Sequence, residues 1–137
     1  MYKHLFLERY NAQNHAIFVL KLIGMDKTIN WSDFEKIDIR VGTILSAEEL
    51  QKAKKPAFVL KIDFGNWGVK TSSAQITTHY QSESLKGKQI IAILNFPPKR
   101  IAGIKSECLV LGIYNKNNQV VLLQSSKKCI KNGTAIS

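Results

Sequence analysis

The sequence has few of the residues that build disulfide frameworks, metal centres and catalytic triads. Its two cysteines, Cys108 and Cys129, lie in separate segments without CxxC spacing, which excludes a disulfide framework and a cysteine zinc site. We expect both thiols to be free and buried, as in a reducing cytosol. Of three histidines, only His79 lies beyond residue 24, and one histidine cannot build a multi-histidine metal centre. We therefore expect no metal and no cofactor.

Long apolar runs are also missing from the first 24 residues. Their longest run, residues 16–20, ends at Lys21, whereas a membrane-spanning helix needs about 20 apolar residues. The segment has no small-residue cleavage site, so a signal peptide is not expected. We expect translation to begin at Met25, which would leave residues 1–24 as an extension of little functional weight. The alternative is a short amphipathic helix that docks on the body or on a partner.

The common catalytic motifs are absent as well. The sequence contains no G-x-S-x-G, no G-x-G-x-x-G and no P-loop; the segment from Gly103 to Ser106 matches only the end of a P-loop. An enzyme is therefore not expected. The alternative is a reaction that uses His79, which would still need a nucleophile and an orienting partner.

Negative charge is scarce relative to positive charge. Twenty lysines and arginines face ten carboxylates, which gives a net charge of +10 over 137 residues. The first 24 residues carry three cations and one carboxylate, so the remaining chain keeps a net charge of +8. An excess of this size attracts polyanions, and nucleic acid is the first candidate partner. Anionic lipid, an acidic protein and simple solubility are the alternatives.

Alternating apolar residues predict that residues 25–137 form one β-rich domain. Residues 37–45 alternate with a period of two, which indicates a half-buried strand with Ile39 and Val41 on its inner face. Gly42 within this strand indicates a bulge or a bend. Further strands are predicted over residues 58–64, 69–73, 89–95, 108–114 and 119–124.

The connections between these strands complete an all-β domain with one or two short helices. An S-x-x-E capping box at Ser32 predicts a helix at the entrance, and a second helix is predicted over residues 74–80. Residues 48–55 and 96–106 are predicted to be loops, the second opened by two prolines. Five or six short strands with this spacing are typical of small barrels and sandwiches.

Two segments concentrate the groups that bind phosphates. One segment combines three cations, an amide and an aromatic ring: Lys99, Arg100, Lys105, Asn95 and Phe96. Residues 70–75 add one cation, three hydroxyls and an amide. Lysine and arginine bind phosphate oxygens, hydroxyls and amides fix the register, and Phe96 would stack on an unpaired base. The alternative is a solvated loop, with Phe96 in the core.

Five blocks of residues in one order resemble the tRNA-binding domain superfamily, in particular its CsaA-type members. The blocks, which lie between residues 34 and 136, are DIRVGTI from Asp38, LKIDFG from Leu60, SSAQIT from Ser72, L-x-GK from Leu85 and NFPP-x-x-IAG-x-x-SE from Asn95. Synthetase-appended members usually carry a Val-Ser-Gly type segment where this chain has Ser-Ser-Ala-Gln. This departure places the chain with the CsaA-type members.

The resemblance implies a five-stranded OB-fold Greek-key barrel that acts in the cytoplasm as a homodimer. It implies that tRNA is held by its shape and its phosphates. The implied backbone-binding edge is Lys99, Arg100, Lys105 and Ser106, and the implied groove is lined by Ser72, Ser73, Gln75 and Asn95. It also implies an alternative function, an export-related chaperone that holds unfolded or precursor polypeptides in an apolar pocket. Phe96, Ile101 and Ile104 are the candidates for that pocket, unless all three are core residues.

Overall fold

The computed structural model describes residues 27–137 and divides the chain into two compact units. The first unit ends at Lys36, and its described part contains one short helix, α1 (Trp31–Glu35). The second unit is Ile37–Ser137. The predicted extension over residues 1–24 lies outside the described residues. Within residues 27–137, no helix has the length and the hydrophobicity to cross a membrane.

Helix α1 is present where a capping box predicted it, but Asn30 rather than Ser32 is the N-cap. The Asn30 side chain accepts a hydrogen bond from the Asp33 amide at 3.0 Å, and the Asp33 carboxylate accepts one from the Asn30 amide at 3.3 Å. The Ser32 hydroxyl donates to the Asn30 side chain at 2.6 Å and so supports this cap. Asparagine and serine are both favourable N-cap residues, so the sequence is compatible with a helix that begins after either Asn30 or Ser32.

The second unit is built from short strands in an antiparallel arrangement. Its elements in the described chain are β1 (Ile39–Glu49), β2 (Phe58–Asp63), β3 (Val69–Ala74), α2 (Ser82–Leu85), β4 (Gln89–Ile93), β5 (Lys99–Ile101), β6 (Ile104–Ser106), β7 (Leu109–Val110), β8 (Gly112–Tyr114) and β9 (Val120–Leu122). The main sheet has the order β3-β2-β1-β4-β7, whereas β5–β6 and β8–β9 form separate hairpins.

Hydrogen bonds between β3 and residues 106–108 bring the two edges of the main sheet together. The Glu107 amide donates to the Thr71 carbonyl at 2.7 Å, and the Ser72 hydroxyl donates to the Cys108 carbonyl at 3.0 Å. The sheet is therefore a nearly closed five-stranded barrel. Strands β1, β2 and β3 form a meander, β4 pairs with the other edge of β1, and β7 pairs with β4. This order confirms the predicted OB-like Greek-key barrel.

The core of the barrel is apolar. Its fully buried side chains come from β1, β2, β4 and α2 and from the residue after β2: Ile44, Leu60, Ile62, Ile90, Leu85 and Phe64. The alternation predicted over residues 58–64 is confirmed, because Phe58, Leu60 and Ile62 all point into this core. Burial of each such side chain contributes about 1.5–3 kcal/mol.

The predicted inner face of β1 was wrong, because both faces of this strand are covered. Ile44 belongs to the core cluster, whereas Val41 is buried where the C-terminal segment runs alongside β1. The Gly133 amide donates to the Val41 carbonyl at 2.7 Å, and the Val41 amide donates to the Thr134 carbonyl at 3.0 Å. Alternation alone does not show which face of a doubly covered strand meets the core.

The predicted bulge is present in β1, but it lies between Ile44 and Ser46 rather than at Gly42. Gly42 has a different role, because a Cβ built there would lie 2.5 Å from the ring of Phe64. A glycine is therefore needed at this position so that the phenylalanine ring can pack against the backbone.

Three connections also differ from prediction. Strand β1 runs on to Glu49 through pairing with Phe58, so the predicted loop over residues 48–55 begins later. The helix predicted over residues 74–80 is absent, because Ala74 still pairs in β3; the helix in this region is α2. The loop predicted over residues 96–106 contains the β5–β6 hairpin.

Candidate functional site

The β5–β6 hairpin places two cations side by side. Arg100 and Lys105 are direct cross-strand partners, so both side chains stand on the same face of the hairpin. Both are exposed, and neither forms an ion pair with the described part of the chain. Directly opposed like charges destabilise a strand pair, so this face is electrostatically suited to an anion.

A tight two-residue turn fixes this pairing. Ala102 and Gly103 both have positive φ values, 50° and 84°, as the primed turns of two-residue hairpins require. Ile101 and Ile104 face each other next to the turn, on the face opposite to Arg100 and Lys105. The register of the cations is therefore set by local backbone geometry.

One side of the hairpin forms a wall of an open groove of about 700 Å³. The opposite wall comes from the end of β1 and the β1–β2 loop, and the floor from the outer face of β2 and β3. The lining residues are Glu48, Glu49, Leu50, Gln51, Lys52, Val59, Lys61, Thr71, Ala102, Gly103, Ile104, Lys105 and Glu107.

Strand register explains which side chains form the floor. Lys61 pairs with Thr71, and Val59 pairs with Glu48 on the neighbouring strand, so these residues share the outer face of the sheet. The Lys61 ammonium donates to the Thr71 hydroxyl at 3.0 Å. An ammonium group has three donors, so Lys61 keeps hydrogen-bonding capacity for a ligand.

The groove carries charges of both signs. Its lining contains three lysines, Lys52, Lys61 and Lys105, and three carboxylates, at positions 48, 49 and 107. The Glu107 carboxylate accepts a hydrogen bond from the Thr71 amide at 2.9 Å, which ties it to the floor. Glu48 and Glu49 are exposed. The cationic surface is thus the rim of the groove, whereas its interior is close to neutral.

The predicted phosphate-binding residues divide into an exposed set and a buried set. Lys99, Arg100 and Lys105 are exposed on the hairpin, and only Lys105 lines the groove. Ser72 and Ser106 are 1% and 6% exposed. The Ser72 hydroxyl donates to the Cys108 carbonyl, and the Ser106 hydroxyl accepts a hydrogen bond from the Ser73 amide at 3.2 Å. These two hydroxyls therefore hold the barrel closed.

The other three predicted groove residues lie outside the groove lining. Ser73 pairs with Val59 and so shares the face of the floor, half-buried beneath the hairpin. Gln75 is exposed just after β3. The Asn95 side chain accepts a hydrogen bond from the Asp38 amide at 2.9 Å and so holds the entrance to β1.

The three candidates for an apolar pocket are not gathered in one cavity. Ile104 lines the groove, and Ile101 is its half-buried partner across the hairpin. Phe96 is 54% exposed and does not line the groove. These three residues therefore form neither a shared pocket nor part of the core, the two alternatives that were predicted from the sequence.

Lys61 and the carboxylates of the groove were not singled out as site residues from the sequence, whereas Thr71 was noted only as one of the three hydroxyls in residues 70–75. The alternation of β2 already placed Lys61 on the outer face, but an outward lysine in a strand is more often a solvated side chain. Glu48 and Glu49 were interpreted as part of a polar loop. Only the extension of β1 to Glu49 brings them to the groove.

The remaining reactive groups of the described residues show no catalytic arrangement. Cys108 is buried and Cys129 is exposed, so the prediction of two buried thiols holds for Cys108 alone. Burial raises the pKa of Cys108 to about 12, which makes its thiol unreactive near neutral pH. His79 is exposed and meets the Tyr80 ring edge-on. Among residues 27–137, no three potential metal ligands lie close enough to hold an ion.

Barrel and groove together define the class of protein. The groove crosses strands β2 and β3, between the β1–β2 loop and the hairpin that follows β4. OB-fold domains bind oligonucleotides and oligosaccharides on this face. The chain is thus an OB-like domain with an open groove on this face. A family model described as "Putative tRNA binding domain" matches residues 39–135. The chain belongs to this tRNA-binding domain family.

Solved structures and curated relatives agree with this assignment. The chaperone CsaA from Bacillus anthracis is 53% identical with a TM-score of 0.75, over 80% of this chain and 99% of that one. The CsaA chaperone protein from Picrophilus torridus is 47% identical with a TM-score of 0.75, over 80% and 100% of the two chains. The chain is therefore similar to CsaA-type members of the family.

Sequence relatives include methionine–tRNA ligases. The enzyme from Bacteroides fragilis is 35% identical over 95% of this chain, and that from Christiangramia forsetii is 34% identical over 78% of it. The chain spans only 18% and 15% of the length of these two relatives. The similarity therefore covers a binding domain and not a whole synthetase.

Proposed function

We propose that the protein binds tRNA and recognises its shape and phosphate backbone through the rim of the groove. The observation that carries this proposal is the paired placement of Arg100 and Lys105, two exposed cations with no ion pair among residues 27–137. The hairpin fixes the spacing of their Cβ atoms on one face. Lysine and arginine held in this way are suited to successive phosphates of a folded polyanion.

Cations on the opposite wall support the same function. The β1–β2 loop carries three exposed lysines, Lys52, Lys54 and Lys55. A groove with cations on both rims can neutralise phosphates on two sides of a ligand. The net charge of +10 adds a long-range attraction that steers a polyanion toward this surface.

The groove lining is poorly suited to the stacking of bases on aromatic rings. None of the lining residues in the described chain is aromatic. OB-fold proteins that bind single strands generally stack bases on aromatic side chains, and each stacked base contributes about 1–3 kcal/mol. Phe96, the aromatic residue that precedes the β5–β6 hairpin, lies outside the groove lining.

Filter binding of labelled bulk tRNA to a double variant tests the proposal. We expect Arg100→Ala with Lys105→Ala to weaken binding by about tenfold or more, because two phosphate contacts are lost. Lys127→Ala with Lys128→Ala is the matched control, since these lysines are equally exposed and lie outside the hairpin and the groove. An equal effect of the two double variants would show that only net charge matters and would refute the proposal.

A second candidate function is the holding of unfolded polypeptides. It is favoured by the similarity to two solved structures of CsaA chaperones and by the apolar residues in the groove lining, Leu50, Val59 and Ile104. Apolar contacts are not screened by salt, so suppression of client aggregation would persist at high ionic strength. Light scattering of a heat-unfolded client should show less protection by Ile104→Ser. Leu45→Ser, on the exposed bulge of β1, is the control.

We also propose that the protein acts as a homodimer in the cytoplasm, where tRNA is found. Ile113 and Tyr114 on the β8–β9 hairpin are 58% and 54% exposed, which supports association through an apolar surface. Light scattering coupled to size exclusion should give about twice the 15.5 kDa chain mass. A monomeric mass would contradict this part of the proposal.

A further inference from the structure

One wall of the groove is unsuited to the phosphates that its rim attracts. Glu48 and Glu49 stand on this wall, are exposed, and form no hydrogen bond or ion pair with the described part of the chain. A carboxylate repels a phosphate oxygen, so a phosphate placed against this wall would meet like charge. A ligand group that contacts this wall must therefore offer hydrogen-bond donors.

Unpaired nucleobases offer such donors. The exocyclic amine of cytosine or adenine donates a hydrogen bond, and carboxylates are its natural acceptors; uracil presents a carbonyl at the same place. In a duplex these edges are occupied by base pairing, so only an unpaired segment can present them to a groove. The apolar residues Val59 and Ile104 offer a surface for the ring faces.

The size of the groove sets the size of the occupant. Its volume of about 700 Å³ lies within the range of 300–1,000 Å³ of sites that enclose one small organic ligand. This space suits one or two nucleotides and is too small for a duplex. Lys61 and Lys105 lie beside the carboxylates and can neutralise the phosphates that join those nucleotides.

We propose that the groove between the β1–β2 loop and the β5–β6 hairpin binds unpaired, amine-bearing nucleotides of RNA, with Glu48 as an acceptor for the base. This inference rests on the proposed function, since it assigns a second part of the same RNA to the same surface. The rim holds the folded backbone, and the groove reads an unpaired cytosine or adenine.

Short oligonucleotides separate base recognition from phosphate binding. Fluorescence anisotropy with labelled oligo(C) and oligo(U) of equal length should show oligo(C) binding about tenfold more tightly, within the range that one good base contact supplies. Glu48→Gln keeps one carbonyl acceptor but loses the charge. This variant should weaken oligo(C) binding and leave oligo(U) unchanged or slightly tighter. Glu83→Gln on α2, which removes an equally exposed carboxylate outside the groove, is the control.

Each possible result of these measurements either supports or overturns the inference. Equal affinity of the native protein for oligo(C) and oligo(U), with tRNA binding intact, would overturn the inference and leave the proposed function standing. Tighter binding of both oligonucleotides by Glu48→Gln would overturn it too, since the carboxylate would then only repel phosphate. If Glu48→Gln impairs protection of an unfolded client but not oligo(C) binding, the groove holds a polypeptide and the inference is wrong. Loss of tRNA binding in the Arg100 and Lys105 double variant, with the oligo(C) preference retained, supports both assignments.

Discussion

Substitution of Gly42 by alanine offers a quantitative test of how the barrel is packed. Gly42 lies in the middle of β1, and its φ is not in the positive region, so its backbone would accept any residue. A Cβ at this position would lie 2.5 and 2.6 Å from two ring carbons of Phe64 and 2.8 Å from a methyl carbon of Ile62. Ordinary contact begins at 3.4 Å, so the ring must move by about 0.9 Å.

The expected cost follows from two opposing terms. Phe64 and Ile62 are fully buried, so neither side chain can move into solvent, and overpacking of such a core costs about 1–3 kcal/mol. Alanine also reduces the conformational freedom of the unfolded chain, which returns about 0.4–1 kcal/mol. We expect a net destabilisation of about 1–2 kcal/mol. In a domain of this size that lowers the melting temperature by about 3–12 °C.

Urea unfolding and thermal melts of four proteins would measure this effect and its cause. The native chain, Gly42→Ala, Phe64→Leu and the double variant form a cycle. Because the smaller leucine side chain makes room for the new methyl group, the double variant should be more stable than the sum of the single effects by about 0.5–3 kcal/mol. Ser46→Ala, on the same strand, is the control and should be close to neutral. Additive effects in the cycle, or a neutral Gly42→Ala, would refute the assignment of Gly42 to the contact with Phe64.

Two further predictions concern the buried thiol and the C-terminal segment. Because the pKa of Cys108 is raised from 9.0 to about 12, its thiol stays neutral in the folded protein while it ionises in the unfolded chain above pH 9. The free energy of unfolding should therefore fall as pH rises above 9, less so in Cys108→Ala. Iodoacetamide at pH 8 should modify Cys129 alone until denaturant is added; modification of both thiols in the native state would contradict this. Arg40 pairs with Asp38 at 2.7 Å, donates to the Gly133 carbonyl at 2.8 Å and stacks over Trp67 at 3.6 Å. Arg40→Ala should therefore speed proteolysis near residues 130–137, whereas Lys36→Ala should not.

Local patterns in the sequence identified the strands of the barrel, but not its long-range contacts. The alternation of β2 placed Leu60 and Ile62 correctly, because one face of that strand meets the core and the other meets solvent. The same rule failed for β1, because Val41 is buried on the other face of the strand, where a C-terminal segment about 90 positions away pairs with its backbone through Gly133. No local pattern reports such a contact.

The sequence predicted the part of the candidate site that consists of exposed cations. Lys99, Arg100 and Lys105 form an exposed basic hairpin, although the hairpin itself was predicted as a loop because two prolines precede it. Ser72 was assigned to the groove from the resemblance, but it points inward because its pairing partner Leu60 does. The direction of a side chain on a strand depends on register, which the sequence does not show.

The salt dependence of tRNA binding shows whether the β5–β6 hairpin contacts the RNA backbone. Each phosphate contact releases counterions, so the slope of log K against log salt concentration counts the cations that touch the backbone. We expect Arg100→Ala with Lys105→Ala to make this slope about two units shallower, whereas Lys127→Ala with Lys128→Ala leaves it unchanged. A hairpin variant that retains the native slope would show that these two cations do not contact the RNA and would rule out the proposed binding surface.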